Sequence, residues 1–97
     1  MKEYKQQIID RIVAQAEGDR MISLYEVGRS LGHKHIKAQD CADIMRAVLK
    51  RLPGYEAVRL VAPGQSDQTA SLWTTLTFID KELEFEDYDP AADWEED

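Results

Sequence analysis

Ninety-seven residues make one domain, and a domain this small buries only a little over ~60% of its unfolded surface, which argues against a deep catalytic cleft. The 43% apolar content is ordinary and contains no run long enough to span a membrane, while the single cysteine, Cys41, excludes an internal disulfide and fits a reducing compartment. The net charge of −7 is unevenly placed: residues 1–73 hold eleven Lys and Arg against nine Asp and Glu, and residues 74–97 hold one against ten, so a mildly basic body carries a strongly acidic segment.

Met1-Lys2-Glu3-Tyr4 leads straight into an amphipathic pattern without the apolar stretch of a signal peptide, and a cytoplasmic location is expected. Over residues 4–17, Tyr4, Ile8, Ile9, Ile12, Val13 and Ala16 form one stripe, with Lys5, Gln6, Gln7, Asp10, Arg11 and Gln15 between them, which predicts a surface helix. Gly18 suits a left-handed residue that closes it. Met21-Ile22 is a short apolar strand. Ser23 and Glu26 then form a capping box, in which the Ser23 hydroxyl accepts from the Glu26 amide, and a second, short helix runs from about Leu24 to Leu31.

Gly32 closes that helix, and His33-Lys34-His35 turns the chain, with Ile36 anchored inward. Periodicity is strongest next: Cys41, Ile44, Met45, Val48, Leu49 and Leu52 mark the inner face of a helix whose outer faces hold Gln39, Asp40, Asp43, Arg46, Ala47, Lys50 and Arg51. Pro53-Gly54 ends it. Tyr55–Ala62 and Thr69–Ile79 are rich in β-branched and aromatic residues around a turn-forming segment, 63–68, and predict a hairpin with a polar tip. Beyond Ile79, the alternation from Glu82 to Glu86 predicts an edge strand or an extended segment, and Asp89-Pro90 predicts a cap and first-turn proline for one helical turn through Trp94.

Helix, short strand, capped helix, turn, long helix and hairpin resemble the winged helix-turn-helix superfamily, over about Tyr4 to Phe78. The words that carry the resemblance are Ser-Leu-Tyr-Glu-Val-Gly-Arg-Ser-Leu-Gly at 23–32, the helix ending Val48-Leu49-Lys50-Arg51-Leu52-Pro53-Gly54, and the hairpin as wing. The resemblance implies an α+β fold of three helices and a β-hairpin wing over residues 1–79, followed by an acidic C-terminal tail over 80–97. The stretch from Gly32 to the end of the long helix is several residues longer than the compact bacterial pattern, so the turn or the recognition helix must be extended.

In that superfamily the recognition helix enters the major groove and the wing touches the backbone or minor groove. The resemblance thus makes Lys34, His35, Lys37, Gln39, Arg46 and Lys50 nucleic-acid-binding candidates on the turn and helix, with Gln65, Ser66 and Gln68 at the wing tip. Gln39 suits an adenine edge, Arg46 a guanine, and the lysines phosphates. Asp40 and Asp43 oppose this, because they would meet phosphate with the wrong sign. The competing reading of the same side chains is a solvated, mixed-charge helix face.

The segment 80–97 reads either as a disordered solubilising tail or as a second functional element. Its interleaved aromatics favour partner binding by Phe85, Glu86, Asp87, Tyr88, Asp89, Asp93 and Trp94, with carboxylates standing where phosphates would stand. Such a tail would fold back on the basic helix or act as a DNA mimic on a nucleic-acid-handling protein partner. No catalytic, metal or cofactor site is expected. His33, His35 and Cys41 lack a fourth ligand and metal-site spacing, Cys41 reads as a packed thiol, and the serines lack a fitting His and Asp context. Exposed tail carboxylates lack the shielded pocket that acid–base work needs, and no glycine-rich phosphate loop is present. Met21 and Met45 read as core filler and Trp73 as packing on a wing strand.

The expected function is a small non-enzymatic DNA-binding protein of transcription regulation, of the kind found in bacteria and their phages. It would act as a homodimer that doubles the modest charge, with the tail tuning affinity. The alternative is a phage-type inhibitor or adaptor whose tail docks on a nucleic-acid-handling partner, and a structural subunit of a larger assembly is the third class.

Overall fold

The computed structural model describes residues 3–66 and 68–83, which form a small α+β domain of four helices and a three-stranded antiparallel sheet. In chain order these are α1 (Glu3–Gln15), β1 (Met21–Ser23), α2 (Leu24–Ser30), α3 (Ala38–Arg51), β2 (Tyr55–Arg59), α4 (Leu72–Thr75) and β3 (Leu76–Asp80). The sheet order is β1-β3-β2. Met21 pairs with Ile79 and Ser23 with Thr77 on one side of β3, while Tyr55 pairs with Asp80 and Arg59 with Leu76 on the other.

The helices lay their apolar stripes on one face of this sheet. Ile8, Ile9 and Ile12 of α1, Leu24 and Val27 of α2, Cys41, Ile44 and Val48 of α3, and Phe78 of the central strand form a common core. Pairing alternates sides along a strand, so Ile22 and Ala57 sit beside Phe78 on the helix-facing side. Ile36 is buried, as its place in the turn predicted, and anchors the long connection between α2 and α3.

Local signals explain most boundaries. The Ser23 Oγ accepts from the Glu26 amide at 3.4 Å and starts α2. Gly32 adopts φ +90°, and the His33 and Gly32 amides donate to the carbonyls of Gly28 and Arg29 at 2.9 and 3.0 Å, the paired pattern of a left-handed helix stop. Gly18 departs from expectation. Its φ is negative, and α1 ends instead through amide bonds from Gly18 and Asp19 to the Gln15 carbonyl. The Tyr55 hydroxyl lies 3.1 Å from the Ala16 carbonyl oxygen and 2.6 Å from that of Asp19 and completes the stop.

The predicted strand Thr69–Ile79 is corrected. Its first half is loop and the single turn α4, because the Ser71 Oγ accepts from the Thr74 amide at 3.3 Å and makes a helix cap where β-branched residues suggested a strand. Trp73 therefore packs from α4 rather than from a wing strand. It lies in the core, edge-on to Tyr25 with ring centroids 5.5 Å apart, and its six-membered ring covers Gly28. Met21 is half-buried and stands outside the core cluster, whereas Met45 packs against it. Of the expected edge strand or extended segment from Glu82 to Glu86, Glu82 and Leu83 turn back onto Asp80 instead of adding a strand, and the rest of it, the helical turn from Asp89, and the partner-binding residues Phe85, Glu86, Asp87, Tyr88, Asp89, Asp93 and Trp94 lie outside the described residues.

Candidate nucleic-acid interface

The outer face of α3 is built from residues spaced one helical turn apart, Gln39, Asp43, Arg46 and Lys50. Lys34, His35 and Lys37 precede it on the turn, and all three are exposed. Lys37 is the N-cap with extended backbone and makes no side-chain cap, so the first amides of α3 are left without a capping side chain. Gln39, Arg46 and Lys50 are exposed as well, Arg46 to 62% at its side chain. Lys34, Lys37 and Lys50 make no ion pair among the described residues.

The two acids of this helix are arranged differently from the reading that placed both on an outer face. Asp40 is buried at 8% exposure. It accepts from the Tyr4 hydroxyl and lies 3.4 Å from the Nζ of Lys5. Lys5, read as an outward-facing residue of α1, is 7% exposed, and its Nζ also donates to Asp43 Oδ2 at 2.9 Å. The other oxygen of Asp43 accepts from Gln39 Nε2 at 3.2 Å and from Arg46 Nη2 at 2.5 Å. The Lys5 ammonium, aided by Gln39 and by the charge of Arg46, holds the Asp43 carboxyl below the ordinary value of 3.8.

Two consequences bear on the candidates. The negative charge of α3 is spent inside the molecule on a lysine from α1, and Gln39 and Arg46 converge on one carboxylate oxygen instead of projecting independently. A base or phosphate that took either side chain would compete with Asp43 for it. His33 is half-buried, its ring tilted against Tyr4 with centroids 5.5 Å apart, and its Nε2 is enclosed without a hydrogen-bond partner among the described residues.

The loop between β2 and β3 presents Gln65, Ser66 and Gln68, all exposed. Gly64 at φ +85° makes its tight turn, in which the Gln65 amide reaches the Ala62 carbonyl at 3.1 Å. The Ser66 amide donates to Thr69 Oγ1 at 3.2 Å, and the Thr69 and Ala70 amides return to the Ser66 carbonyl. Ser66 is thereby a structural pivot of the loop as well as a surface hydroxyl. Arg59, at the end of β2, ties the loop's far side down through Nε to Thr75 Oγ1 at 3.2 Å and Nη2 to the Ala70 carbonyl. From there α4 packs on α2 and α3, fixing the loop to the helical pair.

Three side chains with structural roles escaped the sequence reading. Lys5 masks the acids of α3, Arg59 anchors the loop, and Arg29 lies 5.4 Å from the centre of the Tyr25 ring while donating to the Tyr25 hydroxyl at 2.9 Å. The pairing of Lys5 had a faint signal, since Asp40 and Asp43 are three apart on one helix and so face one neighbour. Cys41 is fully enclosed, its thiol 3.8 Å from the Ile36 carbonyl, and burial pushes it up from 9.0 to about 11. Among the described residues no three His, Cys, Asp or Glu side chains gather as a metal site, and no helix is long and apolar enough to cross a membrane. No family model, curated protein or solved structure matches the chain.

Proposed function

We propose that the protein is a winged helix-turn-helix nucleic-acid-binding regulator that presents α3 to duplex DNA, with residues 60–71 as its wing. The order of elements and the sheet order β1-β3-β2 support the fold reading. So does the extended connection of residues 31–37, which takes up the extra length that the sequence required between Gly32 and the end of α3.

One observation carries the functional reading. Between Glu26 and Glu56 the chain holds six Lys and Arg and only two acids, Asp40 and Asp43, and both acids are turned onto Lys5. Arg46 and Arg51 are paired with Asp43 and Asp10, so Lys34, Lys37 and Lys50 carry the charge of this face that no acid among the described residues offsets. Lys34, Lys37 and Lys50 would neutralise phosphates, Arg46 and Gln39 would exchange Asp43 for base edges, and the wing tip would lie along the backbone.

The test is anisotropy of a labelled duplex titrated with the full chain, and with a full chain whose eight carboxylates after residue 83 are replaced by amides. With about four phosphate contacts, affinity should fall roughly 100-fold between 50 and 200 mM salt. Lys34→Ala, Lys37→Ala and Lys50→Ala together should remove most of that dependence. Absence of salt-sensitive binding by both forms at low salt would overturn the reading.

A further inference from the structure

We infer that Asp43 and Arg46 together read one G·C pair in the major groove, Arg46 donating to guanine and Asp43 accepting from the amino group of cytosine. The inference rests on the DNA-binding reading above and names the base pair that this part of α3 takes. Its first support is how the carboxylate is held. Lys5 Nζ donates to Asp43 Oδ2 at 2.9 Å, and Oδ1 is left to the exposed Gln39 and Arg46, at 3.2 and 2.5 Å. The side chain of Asp43 is 25% exposed and that of Arg46 62%, so the pair stands at the surface while the far oxygen of the carboxylate is fixed from within.

The second support is pattern. The major-groove edge of a G·C pair presents two acceptors on guanine and, beside them, one amino donor on cytosine. Arg46 offers the fork of donors that two adjacent acceptors need, and Asp43, one turn back on the same helix, offers the acceptor that the amino group needs. The exchange strands no polar group. Arg46 leaves Oδ1 for guanine O6 and N7, and the place it vacates on Oδ1 takes the cytosine amino hydrogen. In an A·T pair thymine presents O4 and a methyl group where cytosine presents its amino group, so Asp43 would meet an acceptor with no proton between them.

The third support is sign. Lys5 first of all holds the Asp43 carboxyl below the ordinary value of 3.8, so this side chain meets the groove as an anion. A phosphate taken by Arg46 would stand beside that anion, whereas a base edge carries no net charge. The acid that weakens Arg46 as a phosphate ligand thus favours its use on a base. Lys34, Lys37 and Lys50, which make no ion pair among the described residues, are left to the phosphates.

Selection of the full chain's preferred sites from a pool of randomised duplexes, followed by anisotropy titrations of the selected duplex, tests the assignment. One G·C pair should be enriched, and its replacement by A·T should weaken binding roughly 5- to 150-fold. Two base analogues dissect the contact. 7-Deazaguanine lacks the N7 acceptor, and N4-methylcytosine still pairs with guanine but carries a methyl group in place of the groove-facing hydrogen; each should weaken binding about tenfold. Asp43→Ala should lose the N4-methylcytosine effect and bind unselected duplexes more tightly, because Arg46 is then open to phosphate. Weaker binding to every duplex with that effect intact would overturn the role of Asp43. Arg46→Ala, at an exposed side chain, reads the other half of the contact: it should lose the 7-deazaguanine effect and leave the salt dependence unchanged. Salt-sensitive binding without a preferred G·C pair, or a salt dependence that falls in Arg46→Ala, would overturn the assignment and leave the DNA reading standing. No binding of the pool at low salt would sink both.

Discussion

A β-carbon built on Gly28 would sit 1.9 Å from Cη2 of Trp73, so this position admits no side chain while the indole keeps its place. Gly28→Ala must push the ring out of a packed site, and the expected cost is about 1–3 kcal/mol, read as a lower urea midpoint. If the midpoint is unchanged, the ring has room to move and does not pin α4 to α2. This requirement was invisible in the sequence, because the two partners are far apart in the chain and Trp73 was assigned to a strand. Cys41 is the opposite case. Its place on the apolar stripe of the long helix already marked it as a core thiol, and it is fully enclosed with its ionisation pushed up to about 11. Burial makes the thiol both unreachable and a poor nucleophile. A thiol reagent at pH 8 should label it only as fast as the protein unfolds, with the rate rising in parallel with added urea. Rapid labelling of the native protein would show that the α1–α3 seam opens locally.

Between elements, α1 and α3 are locked by a polar seam inside an apolar interface. Lys5 serves two carboxylates there, and Tyr4 serves one of them. Lys5→Met would leave Asp40 buried beside a methyl group with only the Tyr4 hydroxyl, and breaking a buried pair on one side costs about 3–5 kcal/mol. Because Asp43 keeps Arg46 and some solvent, the expected loss lies near the lower end of that range. Adding Asp40→Asn and Asp43→Asn should recover much of it, since the cost comes from stranded charge and not from lost volume. A triple variant as unstable as Lys5→Met would mean that packing around the lysine stem matters more. The helices themselves were legible from apolar spacing and caps at Ser23 and Gly32. The seam was not, because Lys5, Asp40 and Asp43 are ordinary surface residues until the crossing of two helices brings them together. The β2–β3 connection failed for a local reason: Thr74 and Thr75 favour a strand by shape, but Ser71 offers the chain a helix cap, and one hydrogen bond with the packing of Trp73 decided between them. The cationic candidates, by contrast, stand on or beside the exposed face of α3 because the same periodicity that put Cys41 inside put Arg46 and Lys50 outside.

For the whole molecule these local arrangements set how stability depends on pH. Asp43 is held below 3.8 by Lys5 first of all, and Asp10 by its hydrogen bond from Arg51. Folded-state values below the unfolded one mean that their contribution is complete above about pH 4 and is lost as pH falls through the lowered values. Cys41 and Tyr55 act at the other end. Both are raised chiefly by burial, Cys41 from 9.0 to about 11 and Tyr55 from 10.0, so the unfolded chain ionises first and stability falls as pH climbs past 9. The urea midpoint should therefore be level from about pH 5 to 8 and decline on both sides. Asp43→Asn should lower the plateau while flattening the acid limb, and Cys41→Ala should flatten the alkaline one. The protein whose eight carboxylates after residue 83 are amides tests this assignment: if Asp43 and Asp10 set the acid limb, that variant keeps it unchanged, because both groups and their partners are untouched, whereas an acid limb that disappears in it would show that these two carboxylates do not set it.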